Sequence, residues 1–138
     1  MSTNLEIARH VYSAGPEALF GALSPDVEWT ETAGFPYGGT YRGIDEVVRN
    51  VFSRLGSEWE GFKAEPDHIY DAGDTVIATG YYSGLYRATG RPMKASFAHV
   101  LTLKDGKIVR FIQYADSKLV WDAMAADTAP LRRHAEVY

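Results

Sequence analysis

The chain has 138 residues and a net charge of −4, from 14 Lys plus Arg against 18 Asp plus Glu; this suits one domain and argues against a nucleic-acid partner, because neutralising phosphates needs a basic surface. Cysteine is absent, which excludes disulfides, thiolate metal sites and cysteine nucleophiles. No run of about 18 apolar residues occurs and the first residues lack a signal-peptide pattern, so we expect no membrane association and a cytoplasmic location.

The first part of the chain predicts two helices and a strand. Apolar residues at helical spacing predict a helix over residues 4–14, which Gly15-Pro16 ends. Pro16 is well placed to begin a second, short helix from Glu17 to Leu23. Polar and apolar residues then alternate from Val27 to Glu31, and this alternation predicts a strand.

A glycine-rich loop and a long helix follow. Residues 32–41 hold three glycines and a proline and predict a loop, whose segment 34–39 is either a lid over a cavity or an inert connection. Apolar residues recur from Ile44 to Leu55 at the spacing of an amphipathic helix, and Gly56 is a natural end for it.

The rest of the chain is predicted to be mostly strand. Asp105-Gly106 between two apolar-rich segments is a strong hairpin signal. Ser117 is suited to cap a final helix, and residues 127–138 are predicted to be an irregular tail. The predicted strands run from Phe62 to Tyr70, from Thr75 to Tyr86, from Met93 to Leu103 and from Lys107 to Asp116.

This order of elements predicts the α+β class. Helices come mainly first and a long antiparallel meander follows, so we expect a curved antiparallel sheet with the N-terminal helices packed on its concave face. Strands of about ten residues curl strongly, and sheet and helices can therefore enclose a cone-shaped pocket. We expect a single domain over residues 1–138, with a core of about 4–126.

Several short motifs occur in an order that resembles one superfamily. They are Asp26-Val27-Glu28-Trp29, the helix entry Tyr41-Arg42-Gly43-Ile44-Asp45-Glu46-Val47, the hairpin from His99 to Ile108, and Tyr114-Ala115-Asp116. Over about residues 4–126 the chain resembles the nuclear transport factor 2-like superfamily and, within it, the SnoaL-like group, named for a polyketide cyclase. The resemblance implies a cone-shaped α+β barrel, in a superfamily that includes steroid isomerases, polyketide cyclases, dehydratases, epoxide hydrolases and binding modules.

The same resemblance implies site residues. Ketosteroid isomerases place a general-base aspartate near the end of their first strand, at the position that Glu31 holds here. The position of their protonated aspartate corresponds to His99, and their tyrosine donor lies in the first helix, where this chain has His10 and Tyr12. In SnoaL-like cyclases a histidine and a strand-end aspartate are the pair usually considered, and His99 with Asp116 resembles it.

Strand periodicity supports a pocket but leaves one face open. Glu31 and His99 each lie on an otherwise apolar strand face, where a carboxylate with few hydrogen bonds would have its pKa raised towards neutrality. On the last strand, Tyr114 and Asp116 share one face, and Gln113 lies on the other. If the first face is inward, Asp116 can orient His99; if the second is, Gln113 lines the pocket and Asp116 begins the last helix.

We therefore predict Glu31 as a base, His99 as its acid or base partner and Asp116 as the group that orients the histidine. Each also has an ordinary structural interpretation: a solvated carboxylate, a core histidine and a helix-starting aspartate. The predicted ligand-binding wall consists of Tyr12, Trp29, Tyr41, Phe97, Gln113 and Tyr114.

The predicted activity is cofactor-independent isomerisation, cyclisation or dehydration of an apolar, ring-containing molecule. A non-catalytic binding or dimerisation module is the alternative. An epoxide hydrolase is a weaker alternative; it needs an Asp–Arg–Asp set, of which Asp116 and Arg110 supply two members. Tyr81, Tyr82 and Tyr86 are interpreted as residues of the outer sheet face, where a homodimer would form. Histidines 10, 68, 99 and 134 are scattered, so no metal and no cofactor are expected.

Overall fold

The computed structural model describes residues 2–125, and the predicted irregular tail lies outside the described residues. The helical elements are α1 (Asn4–Ala14), α2 (Pro16–Ala22), α3 (Ile44–Val47), a π-helical segment (Val48–Phe52), α4 (Ser53–Glu58) and α5 (Ser117–Met124). The strands are β1 (Leu23–Glu31), β2 (Gly39–Arg42), β3 (Trp59–Ala72), β4 (Thr75–Tyr86), β5 (Pro92–Lys104) and β6 (Lys107–Ala115). No helix of this part of the chain is long and apolar enough to cross a bilayer.

The strands form one curved, mixed sheet in the order β2-β1-β6-β5-β4-β3, and the predicted α+β class is confirmed. The sheet does not close, because its edge strands β2 and β3 do not pair with each other. Strands β3 to β6 form the predicted antiparallel meander, but β1 pairs with β6 in parallel, as in the pair of Trp29 with Phe111. The expectation of a purely antiparallel sheet is therefore wrong at this one pair.

Local signals explain the first helix. Thr3 accepts a hydrogen bond from the backbone N–H of Glu6, and the Glu6 carboxylate accepts one from the backbone N–H of Thr3. This reciprocal cap satisfies two N–H groups that would otherwise lack partners. Gly15, at φ 91°, ends the helix in a conformation that side-chain-bearing residues rarely adopt.

The sequence predicted that the long helix ends at Gly56, and this prediction is wrong. Gly56 lies inside α4, which continues to Glu58, and it is not among the residues with positive φ. It therefore does not provide the left-handed turn that ends many helices. Residues 44–58 form one run of three helical segments with a π-helical turn in its middle.

The glycine-rich loop is fastened rather than free. Residues 39–41 of the predicted loop pair with β1, together with Arg42, as strand β2. Phe35 and Tyr37 are buried, and the Tyr37 hydroxyl donates to the Glu58 carboxylate over 2.6 Å. The indole N–H of Trp121 donates to the backbone oxygen of Gly34 over 2.7 Å. These contacts favour a fixed wall over a lid.

Aromatic packing joins the sheet to the helices. Trp29 of β1 stacks on Phe111 of β6 with ring centroids 3.7 Å apart, and Phe52 of the π-helical segment packs edge-on against Trp29. A second buried cluster near α5 contains Phe97 and Trp59. Between the helices and the inner face of the sheet, the packing leaves a cavity.

Candidate functional site

The cavity has a volume of about 870 Å³ and lies between the sheet and the helices α1, α2 and 44–58. This volume is within the range of small-molecule sites. Its walls are mostly apolar and aromatic, and its rim carries the exposed residues Lys63, Glu65 and Arg87. The polar side chains deep inside are Tyr12, Glu31, Tyr82, His99 and Gln113.

Three of these polar residues come from three neighbouring strands. His99 of β5 faces Gln113 of β6 in the sheet register, and β1 runs beside β6 with Thr30 opposite Ile112, which brings Glu31 next to Gln113. Glu31, His99 and Gln113 are only 3%, 4% and 2% exposed. Buried polar groups are costly unless they are paired or used.

Glu31 has one oxygen that is bonded and one that is open. The indole N–H of Trp29 donates to its Oε2 atom over 2.9 Å. Its Oε1 atom has no hydrogen-bond partner among the described residues, and no fully buried side-chain oxygen or nitrogen there lacks one, so Oε1 faces the cavity. Burial raises the pKa of Glu31 from 4.5 to about 7, although the Trp29 hydrogen bond opposes the shift. A carboxylate with this pKa is suited to accept a proton near neutral pH.

His99 lies between two tyrosine hydroxyls. Its Nδ1 atom is 2.6 Å from the Tyr12 hydroxyl of α1 and its Nε2 atom is 2.5 Å from the Tyr82 hydroxyl of β4. Phe97 stacks on the imidazole with centroids 4.1 Å apart. Burial lowers the pKa of His99 to about 3, so the ring is neutral at physiological pH. It then donates one hydrogen bond and accepts one.

Gln113 links Tyr82 and its partner His99 to the backbone of the loop after β1. Its Oε1 atom accepts from the backbone N–H of Thr32 over 3.1 Å, and its Nε2 atom donates to the Tyr82 hydroxyl over 3.0 Å. The Thr32 hydroxyl also donates to the backbone oxygen of Gln113. One continuous hydrogen-bonded network therefore runs beneath the cavity through five residues: Tyr12, His99, Tyr82, Gln113 and Thr32.

Tyr82 is the site residue that sequence reasoning missed, and its predicted place on the outer face is wrong. In β4 the buried residues are Val76, Ala78, Gly80 and Tyr82. Thr75 and Thr79 occupy the opposite face, and their polarity was the available signal for the correct orientation of the strand.

The structure decides between the two faces of the last strand. Gln113 faces the cavity, whereas Tyr114 is 55% exposed on the other face. Asp116 caps α5, where its carboxylate accepts from the backbone N–H of Leu119. The predictions that Tyr114 lines the pocket and that Asp116 orients His99 are therefore wrong, because the inward face of β6 is that of Gln113.

Two other predicted residues lie beside the cavity rather than in its lining. Tyr41 lies on β2, and its hydroxyl donates to the backbone oxygen of Tyr37. Phe97 is buried under Tyr82 and His99. Tyr12 and Trp29 line the cavity, and their contact with a ligand stays a prediction.

The residues for the epoxide-hydrolase alternative do not assemble. Arg110 lies near Glu28, with Nε 3.8 Å from the carboxylate, and Asp116 caps a helix. The described lining of the cavity contains no aspartate. Within residues 2–125, no group of three or more His, Cys, Asp or Glu side chains is placed to hold a metal ion.

The comparisons with known proteins agree with this architecture. The SnoaL-like domain family matches residues 8–111, and no curated protein matches the chain. An NTF2-like protein from Burkholderia thailandensis is 49% identical, with a TM-score of 0.86 over 91% of this chain and 99% of its own. One of unknown function from Burkholderia pseudomallei is 26% identical, with a TM-score of 0.82 over 91% and 100%.

A more distant structure shares the fold alone. A hypothetical protein with a ketosteroid isomerase-like fold from Catenulispora acidiphila, crystallised with trimethylamine, is 22% identical, with a TM-score of 0.77 over 91% of this chain and 96% of its own. The family match covers most of the chain, and the predicted resemblance is confirmed. This protein belongs to the SnoaL-like domain family, within the NTF2-like fold.

Proposed function

We propose that this protein catalyses cofactor-independent proton transfer at a carbon next to a carbonyl group, on an apolar, ring-containing substrate. The observation that carries the proposal is Glu31, a buried carboxylate with a pKa raised to about 7 and one oxygen open to the cavity. The Tyr12 hydroxyl, which lines the same cavity 2.6 Å from His99 Nδ1, is the hydrogen-bond donor in this proposal. A base and a donor facing one apolar cavity match the needs of enolate chemistry.

The step balances without a co-reactant. The Glu31 carboxylate takes the proton from the carbon, the C–H electron pair forms the carbon–carbon double bond of the enolate, and the carbonyl π pair moves to oxygen. That oxygen accepts a hydrogen bond from the Tyr12 hydroxyl. Return of that proton to a conjugated carbon gives isomerisation. When the proton on Glu31 is first replaced by one from solvent, its transfer back to the same carbon gives hydrogen exchange.

Exchange of α-hydrogens in D2O tests the proposal without knowledge of the natural substrate. With 2-tetralone as the probe, followed by NMR, we expect the protein to accelerate deuterium incorporation. Glu31→Gln should lower the rate by about 10²–10⁴-fold and Tyr12→Phe by about 10²–10³-fold. Tyr70→Phe makes the same change at an exposed tyrosine on the outer face and should leave the rate unchanged.

Two results would contradict the proposal. The first is a wild-type protein that binds 2-naphthol, a planar analogue of an enol, but exchanges no hydrogen; that result favours a non-catalytic binding module. The second is a folded Glu31→Gln variant that is as fast as Tyr70→Phe.

A further inference from the structure

The hydrogen-bonded network under the cavity has a direction, which its backbone end sets. The backbone N–H of Thr32 can only donate, so the Gln113 atom that it contacts must be the amide oxygen. The Gln113 amide nitrogen therefore faces Tyr82 and donates to its hydroxyl. The positions of the oxygen and nitrogen in this amide therefore follow from which neighbouring atoms donate and which accept.

The direction continues through Tyr82. Its hydroxyl oxygen already accepts from Gln113, and its own hydrogen needs an acceptor because the residue is buried. His99 Nε2 is the acceptor within hydrogen-bond distance among the described residues. If Nε2 instead carried the hydrogen, Tyr82 would accept twice and its buried hydrogen would have no partner, which is unfavourable.

The last step concerns Tyr12. With Nε2 as acceptor, the neutral imidazole carries its hydrogen on Nδ1 and donates it to the Tyr12 oxygen at 2.6 Å. The Tyr12 hydrogen then has no acceptor among the described residues. Because Tyr12 lines the cavity, this hydrogen is available to a ligand there.

We propose that Gln113 and Tyr82 are positioning residues that fix the Nδ1–H tautomer of His99 and thereby free the Tyr12 hydroxyl hydrogen for the substrate. The proposal rests on the proposed function for its purpose but not for its geometry. It assigns Gln113 a role that requires no contact with substrate. It also explains why an amide, rather than an apolar residue, occupies this fully buried position of β6.

The tautomer of His99 is measurable in the free protein. With ¹⁵N-labelled histidine and long-range ¹H–¹⁵N NMR, we expect one tautomer at neutral pH, with the proton on Nδ1 and Nε2 unprotonated. The signal is assigned by its loss in His99→Gln. A wild-type His99 with its proton on Nε2 overturns the proposal.

Two variants test the origin of the tautomer. Gln113→Met keeps the length of the side chain but replaces the donor with a sulfur that can only accept. The Tyr82 hydrogen can then point to that sulfur while Tyr82 accepts from Nε2–H, so we expect that tautomer to appear. Tyr82→Phe removes the partner of Nε2 and should also give a mixture. A folded Gln113→Met or Tyr82→Phe protein with the unmixed Nδ1–H tautomer of the wild type contradicts the proposed relay.

The activity readout separates this proposal from the proposed function. We expect 2-tetralone exchange in Gln113→Met to fall between the wild type and Tyr12→Phe, about tenfold below the wild type, with 2-naphthol binding retained. An Nδ1–H tautomer in a wild-type protein without exchange activity supports the relay and refutes the function. An Nε2–H tautomer in an active protein overturns the relay and the donor role of Tyr12, and leaves Glu31 as the base.

Discussion

Replacing Glu31 with glutamine should remove a pH-dependent loss of stability. The pKa of Glu31 rises from 4.5 to about 7 on burial, so the folded protein holds this proton more tightly than the unfolded chain does. The stability that this provides is fully present below about pH 4.5 and is lost as the pH rises through about 7. At about 1.36 kcal/mol per pH unit, the loss amounts to about 3 kcal/mol.

His99 contributes in the opposite direction and has to be separated. Burial lowers the pKa of His99 from 6.5 to about 3, so its contribution to stability is present above pH 6.5 and is lost as the pH falls towards 3. Between about pH 4.5 and 6.5 the two slopes oppose each other. The wild-type curve alone can therefore look flat, and the informative quantity is the difference between wild type and Glu31→Gln, in which His99 cancels.

Urea unfolding of both proteins between about pH 4.5 and 8 measures this difference. We expect the variant to gain about 3 kcal/mol of stability relative to the wild type over that range, while its amide oxygen still accepts from Trp29. Glu60→Gln changes the same chemical group at an exposed position of β3 and is the matched control. Parallel curves of stability against pH for wild type and Glu31→Gln would refute the raised pKa of Glu31.

Three further predictions test the fold and its outer face. Asp116→Ala should lose the N-cap bond of α5 and about 1 kcal/mol in a thermal melt, with exchange activity retained, whereas Asp116→Asn should keep both; a loss of activity in the folded alanine variant would restore a role at the site. Gly80→Ala should fail to fold or lose several kcal/mol, because its Cβ would collide with the backbone oxygen of Glu65, whereas Gly21→Ala, in open space on α2, should gain about 0.5–1 kcal/mol; equal urea midpoints would contradict this. We expect a homodimer through the outer sheet face, and Tyr81→Glu on that face should shift sedimentation towards monomer; a wild-type monomer would exclude it.

The elements that the sequence predicted well are those with a complete local signal. Residues 4–14 combine helical spacing with a Gly15-Pro16 end, and α1 has those bounds. Residues 75–86 lie between two turn segments, and β4 has those bounds as well. The parallel pairing of β1 with β6 joins segments about 80 residues apart, and the periodicity of a strand carries no information about its partner.

The site was predictable where one face of a strand was clearly apolar. Glu31 and His99 each interrupt such a face, and both line the cavity. The last strand was ambiguous because Phe111 and Ile112 place large apolar groups on opposite faces. Only the neighbouring strands decide that Gln113 is inward, and with it the role of Asp116.

Glu31 and the Tyr12–His99–Tyr82–Gln113 network each leave one hydrogen-bonding group without a partner in residues 2–125. Within the described residues, every fully buried side-chain oxygen and nitrogen has a partner. The open groups are an acceptor, the Oε1 atom of Glu31, and a donor, the Tyr12 hydroxyl hydrogen if His99 carries its proton on Nδ1. Water can fill both, but neither water nor a purely apolar ligand makes use of a carboxylate with a pKa raised to about 7. A carbonyl compound with an acidic C–H supplies a proton to the first and an oxygen to the second, and this pairing is the physical reason to favour proton transfer over passive binding.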